Sequence, residues 1–180
     1  MRPFTVVEVV KDGKREDNKA LAGKIEVQIT EITIKLLSDK FKLTPIYTLA
    51  DTIKGTDLVP YLLALDENSK KAKGSATPLF IQKAFYTIPN RYCMLVLYLG
   101  QYDLDLEAYL KISAARNNMM YVREGAGSSQ MRVLIFDTKP NTLIHYGHEK
   151  KAFDPRVPSA VKTLVTDMLR PVYYKKFLKP

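Results

Sequence analysis

The apolar and aromatic run over residues 93–99 is the strongest hydrophobic signal in the chain. It is too short to cross a membrane, and a run of this length is typical of a strand that is buried on both faces of a sheet. We therefore predict that residues 92–99 form the central strand. Such a strand needs cover above and below, and amphipathic segments on either side of it in the chain can provide that cover.

The N-terminal part of the chain predicts a strand followed by a helix. Residues 4–10 are rich in valine and predict a first strand, which the charged stretch 11–17 ends in a turn. Asn18 is a candidate helix cap, and apolar residues at spacings of three and four predict a helix over residues 19–39. These apolar residues are Leu21, Ile25, Ile29, Ile32 and Leu36. Residues 25–29 also alternate strictly and are β-branched in part, so a strand remains an alternative there.

The next segments predict a second strand and a second helix. Residues 41–49 indicate a strand, in which Pro45 favours an edge position or a bulge. Thr56 or Asp57 is the candidate cap of the helix that follows, and the lysine-rich stretch 70–74 ends it. Its predicted buried side chains are Leu58, Leu62, Leu63 and Leu65, with Pro60 in or near the first turn.

Two further elements flank the central strand. Residues 75–86 do not alternate and predict a short helix before it. Residues 104–112 alternate between apolar and polar types, which predicts a half-buried strand paired with the central one. Asp103, Asp105 and Glu107 would share the polar face of this strand, where they either face water or bind a hard cation.

The C-terminal part predicts a hairpin and a helix. Residues 117–123 continue the preceding strand or begin another, and the glycine-rich residues 124–129 indicate a mobile loop without the lysine of a phosphate-binding loop. Residues 131–137 and 142–148 flank the turn sequence Thr-Lys-Pro-Asn, which is a strong hairpin signature. An apolar stripe then predicts a helix over residues 158–171, closed by its proline.

Residues 171–180 form a basic tail that mixes aromatic residues with lysines. One interpretation is a helix extension or terminal strand that docks through its aromatic rings, with the lysines in water. The other is a flexible segment that contacts a membrane surface or nucleic acid.

Together these patterns predict one α/β (α+β) domain over residues 1–180. The sheet is expected to be mixed and largely antiparallel with helices packed on it, and to combine an N-terminal strand-helix-strand unit with a C-terminal hairpin plus helix. A length of 180 residues supports one sizeable core, and a composition of 46% hydrophobic and 26% charged residues is that of an ordinary globular protein.

Charge is the main functional signal in the composition. The formal net charge of +9 favours acidic partners in general, with nucleic acid as the leading use of the basic surface. The candidate contacts to a partner or an anion are Lys70, Lys71, Lys73, Lys150, Lys151, Lys175, Lys176 and Lys179. Most of them lie in predicted turns and element ends, where solvation alone also accounts for lysine.

Residues that could carry catalysis are few. His145 and His148 are the only histidines, and three positions apart on a strand they point to opposite faces and cannot share a metal ion without a bend. The single cysteine, Cys93, lies within the apolar run, where we expect a buried and inert thiol. We predict no catalytic residue, no metal site and no cofactor.

The closing segment, MRVLIFDTKPNTLIHYGHEKKAFDPRVPSAVKTLVTDMLRP, resembles that of small bacterial envelope lipoprotein domains of the curli-export lipoprotein type. In these domains a hairpin with an Asp-Thr-turn-Leu-Ile motif precedes a terminal helix, and the opening strand, helix and strand of this chain are similar to theirs. The lipobox cysteine and signal sequence of that family are not found in this sequence. The resemblance implies a non-catalytic envelope domain that binds other proteins or assembles into a larger complex, and no functional residue carries over.

These observations lead to two functional hypotheses. The first is a non-enzymatic protein-interaction or assembly domain of the bacterial cell envelope, with other proteins or a second copy as partners. The alternative is a basic nucleic-acid-binding protein. The first hypothesis implies a location in the periplasm or at the outer membrane if a preceding signal has been trimmed from this sequence, and otherwise we expect the cytoplasm.

Overall fold

The structure is a computed structural model that describes residues 3–43, 53–86, 88–117 and 126–174. The described strands are β1 (Phe4–Lys11), β2 (Lys14–Asp17), β3 (Tyr92–Asp103), β4 (Gly127–Asp137) and β5 (Thr142–Lys151). The described helices are α1 (Lys19–Leu37), α2 (Gly55–Glu67), α3 (Ser69–Ala72), α4 (Leu79–Phe85), α5 (Leu104–Arg116) and α6 (Pro158–Tyr174). The strands form one mixed sheet in the order β2-β1-β3-β4-β5, and helices pack on it, so the predicted α+β class is confirmed.

Strand β3 is the central strand, as its apolar run predicts. It pairs in parallel with β1 and antiparallel with β4, so both of its edges are hydrogen-bonded. The hairpin of β4 and β5 is also confirmed, and Asn141 in its turn takes a φ of 52°, a conformation that asparagine tolerates better than most residues. All pairings in the sheet other than β1 with β3 are antiparallel.

The predicted first helix is confirmed, and the strand alternative for it is wrong. The side chain of Asn18 accepts a hydrogen bond from the backbone N–H of Leu21 at 2.9 Å, which caps α1. The charged stretch before it is more than a turn, because β2 pairs antiparallel with β1. Asp12 and Gly13 make the tight turn between these strands, and both have positive φ.

The predicted strand over residues 104–112 is wrong, because this segment forms helix α5. The side chain of Asp103 accepts a hydrogen bond from the N–H of Leu106 at 2.8 Å and so caps a helix where we expected a strand face. Asp105 and Glu107 lie in the first turn, where negative charge complements the helix dipole. Leucine, alanine, glutamate and lysine also favour helix over strand.

Several element boundaries differ from the sequence predictions, including the end of β3, which continues to Asp103. Helix α2 has Lys54 at its N-cap position, and it exposes Leu63 although it buries the other three predicted leucines. Residues 127–129 of the predicted mobile loop belong to β4. Helix α6 continues through Pro171 to Tyr174, because Val172 is buried in the core and the hydroxyl of Tyr173 bonds to a carboxylate near the end of α1.

Other predicted elements are confirmed or lie outside the described residues. The short helix expected within residues 75–86 is α4. The second strand predicted over residues 41–49 falls largely outside the described part of the chain, and residues 41–43 are in no strand. Residues 118–123 and the last six residues, with Lys175, Lys176 and Lys179, also lie outside it.

Each face of the sheet carries its own hydrophobic core. On the first face, α1 and α6 cover β1, β3 and β4, and the largest buried side chains there include Tyr98, Met131 and Leu164. On the second face, α2, α3 and α4 cover β4, the start of β5 and one half of β3. Cys93 is buried in this second core, and burial raises the pKa of its thiol to about 11, so it is an inert thiol.

The two edges of the sheet are protected in different ways. Strand β2 is four residues long and consists of charged side chains, all of them exposed. The start of β5 is covered by the segment before α4, since the N–H of Gly74 and the C=O of Ser75 both bond to Leu143. The end of β5 carries Lys150 and Lys151, which disfavour the approach of another strand.

We predict that Gly127→Ala lowers the free energy of unfolding by about 2 kcal/mol. A Cβ atom at Gly127 would lie 2.6 Å from the Cα of Asp154, where backbone must move to admit it. Gly23→Ala is the matched control, because nothing lies within 4 Å of its Cβ position and alanine gains up to about 1 kcal/mol within a helix. Urea unfolding of both variants is the measurement, and equal effects would contradict the prediction.

Candidate interaction site

A polar cluster joins the end of helix α2 to strands β4 and β5. The carboxylate of Asp66 accepts a hydrogen bond from Arg132 Nη2 at 2.6 Å and one from the Tyr146 hydroxyl, and it lies 2.9 Å from His148 Nδ1. The other ring nitrogen of His148 is 2.5 Å from the side-chain amide of Gln130. Asp66 is in the last turn of α2, where the helix dipole disfavours negative charge, so these sheet residues supply the compensation.

The geometry assigns protonation states within this cluster. Burial alone would raise the pKa of Asp66, but the hydrogen bonds from Arg132 and Tyr146 outweigh it and hold that pKa below its usual value. Burial and the charge of Arg132 lower the pKa of His148, against the opposing effect of Asp66. A neutral His148 that donates from Nδ1 to Asp66 and accepts at Nε2 from Gln130 satisfies every contact.

The two histidines lie on opposite faces of the sheet, as their spacing predicts. His145 pairs with Ile135 on the first face and is buried, whereas His148 pairs with Arg132 on the second. The hydrogen-bond and ion-pair partners of His148 within the described ranges are Asp66 and Gln130. These contacts hold the end of α2 against the sheet. An acid and a histidine are therefore joined, but the group facing the second ring nitrogen is an amide and not a nucleophile.

Beyond this cluster the second face of the sheet is open. The described part of the chain leaves Val6 45% exposed and Leu99 39% exposed, although both lie on interior strands. Cross-strand pairing places them in a row with Gln130 and Lys150. We define the open patch as two adjoining rows of the sheet. The first row is Val6, Leu99, Gln130 and Lys150, and the second is Glu8, Gln101 and Ser128. An apolar centre is thus flanked by polar side chains, an arrangement typical of an interaction surface.

Helix α5 has an unusual distribution of polar and apolar side chains. Glu107 is its one buried residue within the described structure, whereas Leu106 is 40%, Tyr109 66% and Ile112 55% exposed. We call these three apolar residues the α5 stripe. A helix that serves only to cover a core has the opposite distribution.

Buried charges attach α5 to the rest of the domain. Glu107 accepts Arg156 Nη1 at 2.7 Å and Lys111 Nζ at 2.8 Å, and Arg156 also pairs with the fully buried Asp154 at 2.7 Å. The Arg156 guanidinium stacks on the ring of Tyr102, 4.5 Å from its centroid. The hydrogen bond from Lys111, together with Arg156, lowers the pKa of Glu107 to about 2 despite burial, so the carboxylate is ionised.

The three acidic residues expected on one strand face have separate roles on α5. Asp103 caps the helix, Glu107 forms the buried ion pairs, and Asp105 accepts hydrogen bonds from the N–H groups of Asp12 and Gly13 at 3.1 and 3.0 Å. They do not converge on a common point. Within the described residues, no group of three or more histidine, cysteine, aspartate or glutamate side chains is placed to hold a metal ion.

Those candidate lysines that lie within the described ranges do not gather into one patch. Lys70, Lys71 and Lys73 lie on or just after α3, next to the start of β5, whereas Lys150 and Lys151 lie at its far end. Seven residues separate Leu143, beside Lys73, from Lys150, which corresponds to about 24 Å along a strand. Lys151 also pairs with Asp167 at 2.8 Å and with Glu149 at 3.1 Å.

Comparison of the chain with protein families, with curated proteins and with solved structures found no match. None of the helices in the described ranges has the length and hydropathy needed to span a membrane. The candidate site therefore depends on the geometry alone. Sequence patterns pointed to His148, Glu107 and Lys150 but did not assemble the site, because Asp66 and Arg132 are remote in the chain and because the alternating pattern hid the helical character of α5.

We predict that His148 makes the domain less stable below neutral pH. Its lowered pKa means that the unfolded chain binds more protons than the folded one below the ordinary histidine value of 6.5. The contribution of neutral His148 to the free energy of unfolding is thus complete above pH 6.5, and it is lost as the pH falls towards the folded-state pKa of this histidine. His148→Gln keeps a hydrogen-bonding side chain but no longer titrates.

The measurement is the free energy of unfolding from urea titrations between pH about 7 and about 5, where Asp66 stays ionised. The wild-type curve should fall more steeply than that of His148→Gln over this interval. Parallel curves for the two proteins would contradict the assignment.

We predict that Glu107→Gln lowers the free energy of unfolding by about 3 kcal/mol at pH 7, because it removes the buried carboxylate that pairs with the largely buried Arg156 guanidinium. The control is Glu149→Gln, which removes a half-buried pair with Lys151 and should cost less than about 1 kcal/mol. The Glu107 contribution is present above pH 4.5 and is lost as the pH falls towards its folded pKa of about 2. Equal losses for both variants at pH 7 would count against the buried ion pairs.

Proposed function

We propose that this protein is a non-enzymatic protein-interaction or assembly domain of the bacterial cell envelope. The observation that carries the proposal is helix α5, which buries a glutamate and leaves the α5 stripe in water. Exposed apolar side chains on a helix cost free energy in a monomer and gain it when a partner covers them. The buried ion pairs fix the direction in which the helix presents that stripe.

The open patch supports the same proposal. Val6 and Leu99 are paired across the two parallel strands of the sheet, where side chains are normally buried, yet they are 45% and 39% exposed. Contacts within the polar cluster also favour binding over catalysis, since His148, Asp66 and Arg132 use their polar atoms on one another and on Gln130.

The envelope location is supported by the resemblance of the closing hairpin and helix to envelope lipoprotein domains.

The nucleic-acid alternative has the net charge of +9 in its favour, but the two described groups of candidate lysines lie apart. Phosphate binding needs several cationic side chains along one track, and the lysines of α3 and of β5 lie at opposite ends of a strand. Nucleic-acid binding stays a prediction, and the crosslinking experiment described next tests it.

The test is site-specific photo-crosslinking in cells that carry the natural gene. A photoreactive residue replaces Tyr109 in the α5 stripe or, as the control, Val27, which is 57% exposed on α1. We expect a discrete protein adduct in the envelope fraction from position 109 and not from position 27. Equal labelling at both positions, adducts that nuclease removes, or adducts found in the cytosol would contradict the proposal.

A further inference from the structure

We propose that the partner is a second copy of this chain, with helix α5 of one copy docked across the open patch of another. This inference rests on the proposed function and names the occupant of the same surfaces. One chain carries both the α5 stripe and the open patch, and the inference follows from that combination. Such complementary surfaces in identical molecules produce self-association.

The shape of the open patch fits a helix. On the first face of the sheet two helices, α1 and α6, form a continuous layer. On the second face the described helices α2 to α4 stop at the row that contains Leu97 and Arg132, and the next row is open. A helix placed beyond α2 would continue the second layer and give Leu99 the cover that an interior strand normally has.

The apolar parts of the two surfaces match. The α5 stripe offers one aromatic and two aliphatic side chains, and Val6 and Leu99 provide an aliphatic floor across β1 and β3. Contact between them removes apolar surface of both copies from water, which is the main favourable contribution to association. Interior-strand side chains are also held firmly by the sheet, so little conformational entropy is lost on docking.

Charge fixes the direction of the docked helix. On the open patch, exposed Lys150 lies on β5, whereas Glu8 lies on β1 beside Asp17 of β2. Arg15 also lies there, but its contact to Glu8 is long at 3.8 Å and Arg15 is largely exposed, so negative charge prevails on that side. Helix α5 carries Asp105 at its start and Arg116 at its end, both exposed, and the Asp105 carboxylate also accepts the N–H groups of Asp12 and Gly13 of its own copy.

The distances agree with this orientation. Asp105 and Arg116 are eleven residues apart, about 16 Å along a helix. The three strand spacings from β5 to β1 amount to about 14 Å. A helix laid across the strands with its first turn over β5 therefore brings Asp105 to Lys150 and Arg116 to Glu8 at the same time. The reverse direction would place like charges together at both ends.

The net charge of +9 on each copy opposes association at low ionic strength. At about 0.3 M salt this repulsion is largely screened while apolar contact is kept, so this is the condition of choice. The interface involves one short helix and part of one sheet face, so we expect a weak complex with a Kd in the micromolar range, on the order of 1 to 100 µM.

The closing experiment uses engineered disulfides, because Cys93 is the only native cysteine and is buried. Full-length Tyr109→Cys and Leu99→Cys proteins that carry tags of different size are mixed under mild oxidation and separated on a non-reducing gel. We expect the mixed 109–99 disulfide to form in clear excess over the disulfide in a control mixture of Val27→Cys with Leu99→Cys. Val6→Cys repeats the test if Leu99→Cys folds poorly.

Sedimentation of the wild-type protein and of Ile112→Glu, neither of which carries an engineered cysteine, gives an independent readout. Wild-type protein should exceed its monomer mass of 20.5 kDa with rising concentration, and Ile112→Glu should remain at that mass. Equal disulfide yields in the 109–99 and 27–99 mixtures, or a wild-type mass that stays at the monomer value, would overturn the inference. Adducts to a different protein at position 109 in cells, together with a monomer in solution, would overturn self-association and leave the proposed function standing.

Discussion

Strand β3 must be covered on both faces, and the rest of the fold follows from that requirement. Its apolar side chains alternate between the core under α1 and α6 and the core under α2 to α4, so neither layer can be removed without exposing it. Pairing with β1 on one side and β4 on the other satisfies its backbone groups. The sheet departs from this rule at the carboxyl half of β3, where one face is left open.

Polar contacts in this domain orient elements that apolar contacts alone would not place. Asp66 fastens the end of α2 to β4 and β5, and Glu107 fastens α5 to the segment before α6. Buried ion pairs add little net stability compared with apolar packing, but they penalise every arrangement in which a partner is lost. Here these ion pairs hold α2 so that it ends before the open patch, and they hold α5 so that its apolar side chains face outward.

Much of the architecture could be predicted from local patterns. The apolar run of β3, the hairpin of β4 and β5 and the periodic stripes of α1 and α6 are strong because a single physical requirement, burial of one or both faces, sets each of them. The segment after Asp103 could not be assigned in this way, since alternation holds there while capping and the charge of the first turn favour a helix.

The candidate site could not be predicted from the sequence for another reason. Asp66 meets Arg132 and His148 only after the sheet has formed, and exposed apolar residues on α5 look like buried ones until the fold is known.

The guarded edges of the sheet have a consequence for how this protein can fail. A mostly antiparallel sheet with bare backbone at its rim recruits further strands and grows into fibrils. Here one edge strand, β2, has four residues, all of them charged. The other edge strand, β5, is hydrogen-bonded to a neighbouring segment at its start and carries two lysines at its end. The described edges of this sheet therefore disfavour growth by addition of further strands, which is the route by which a sheet passes into a fibril.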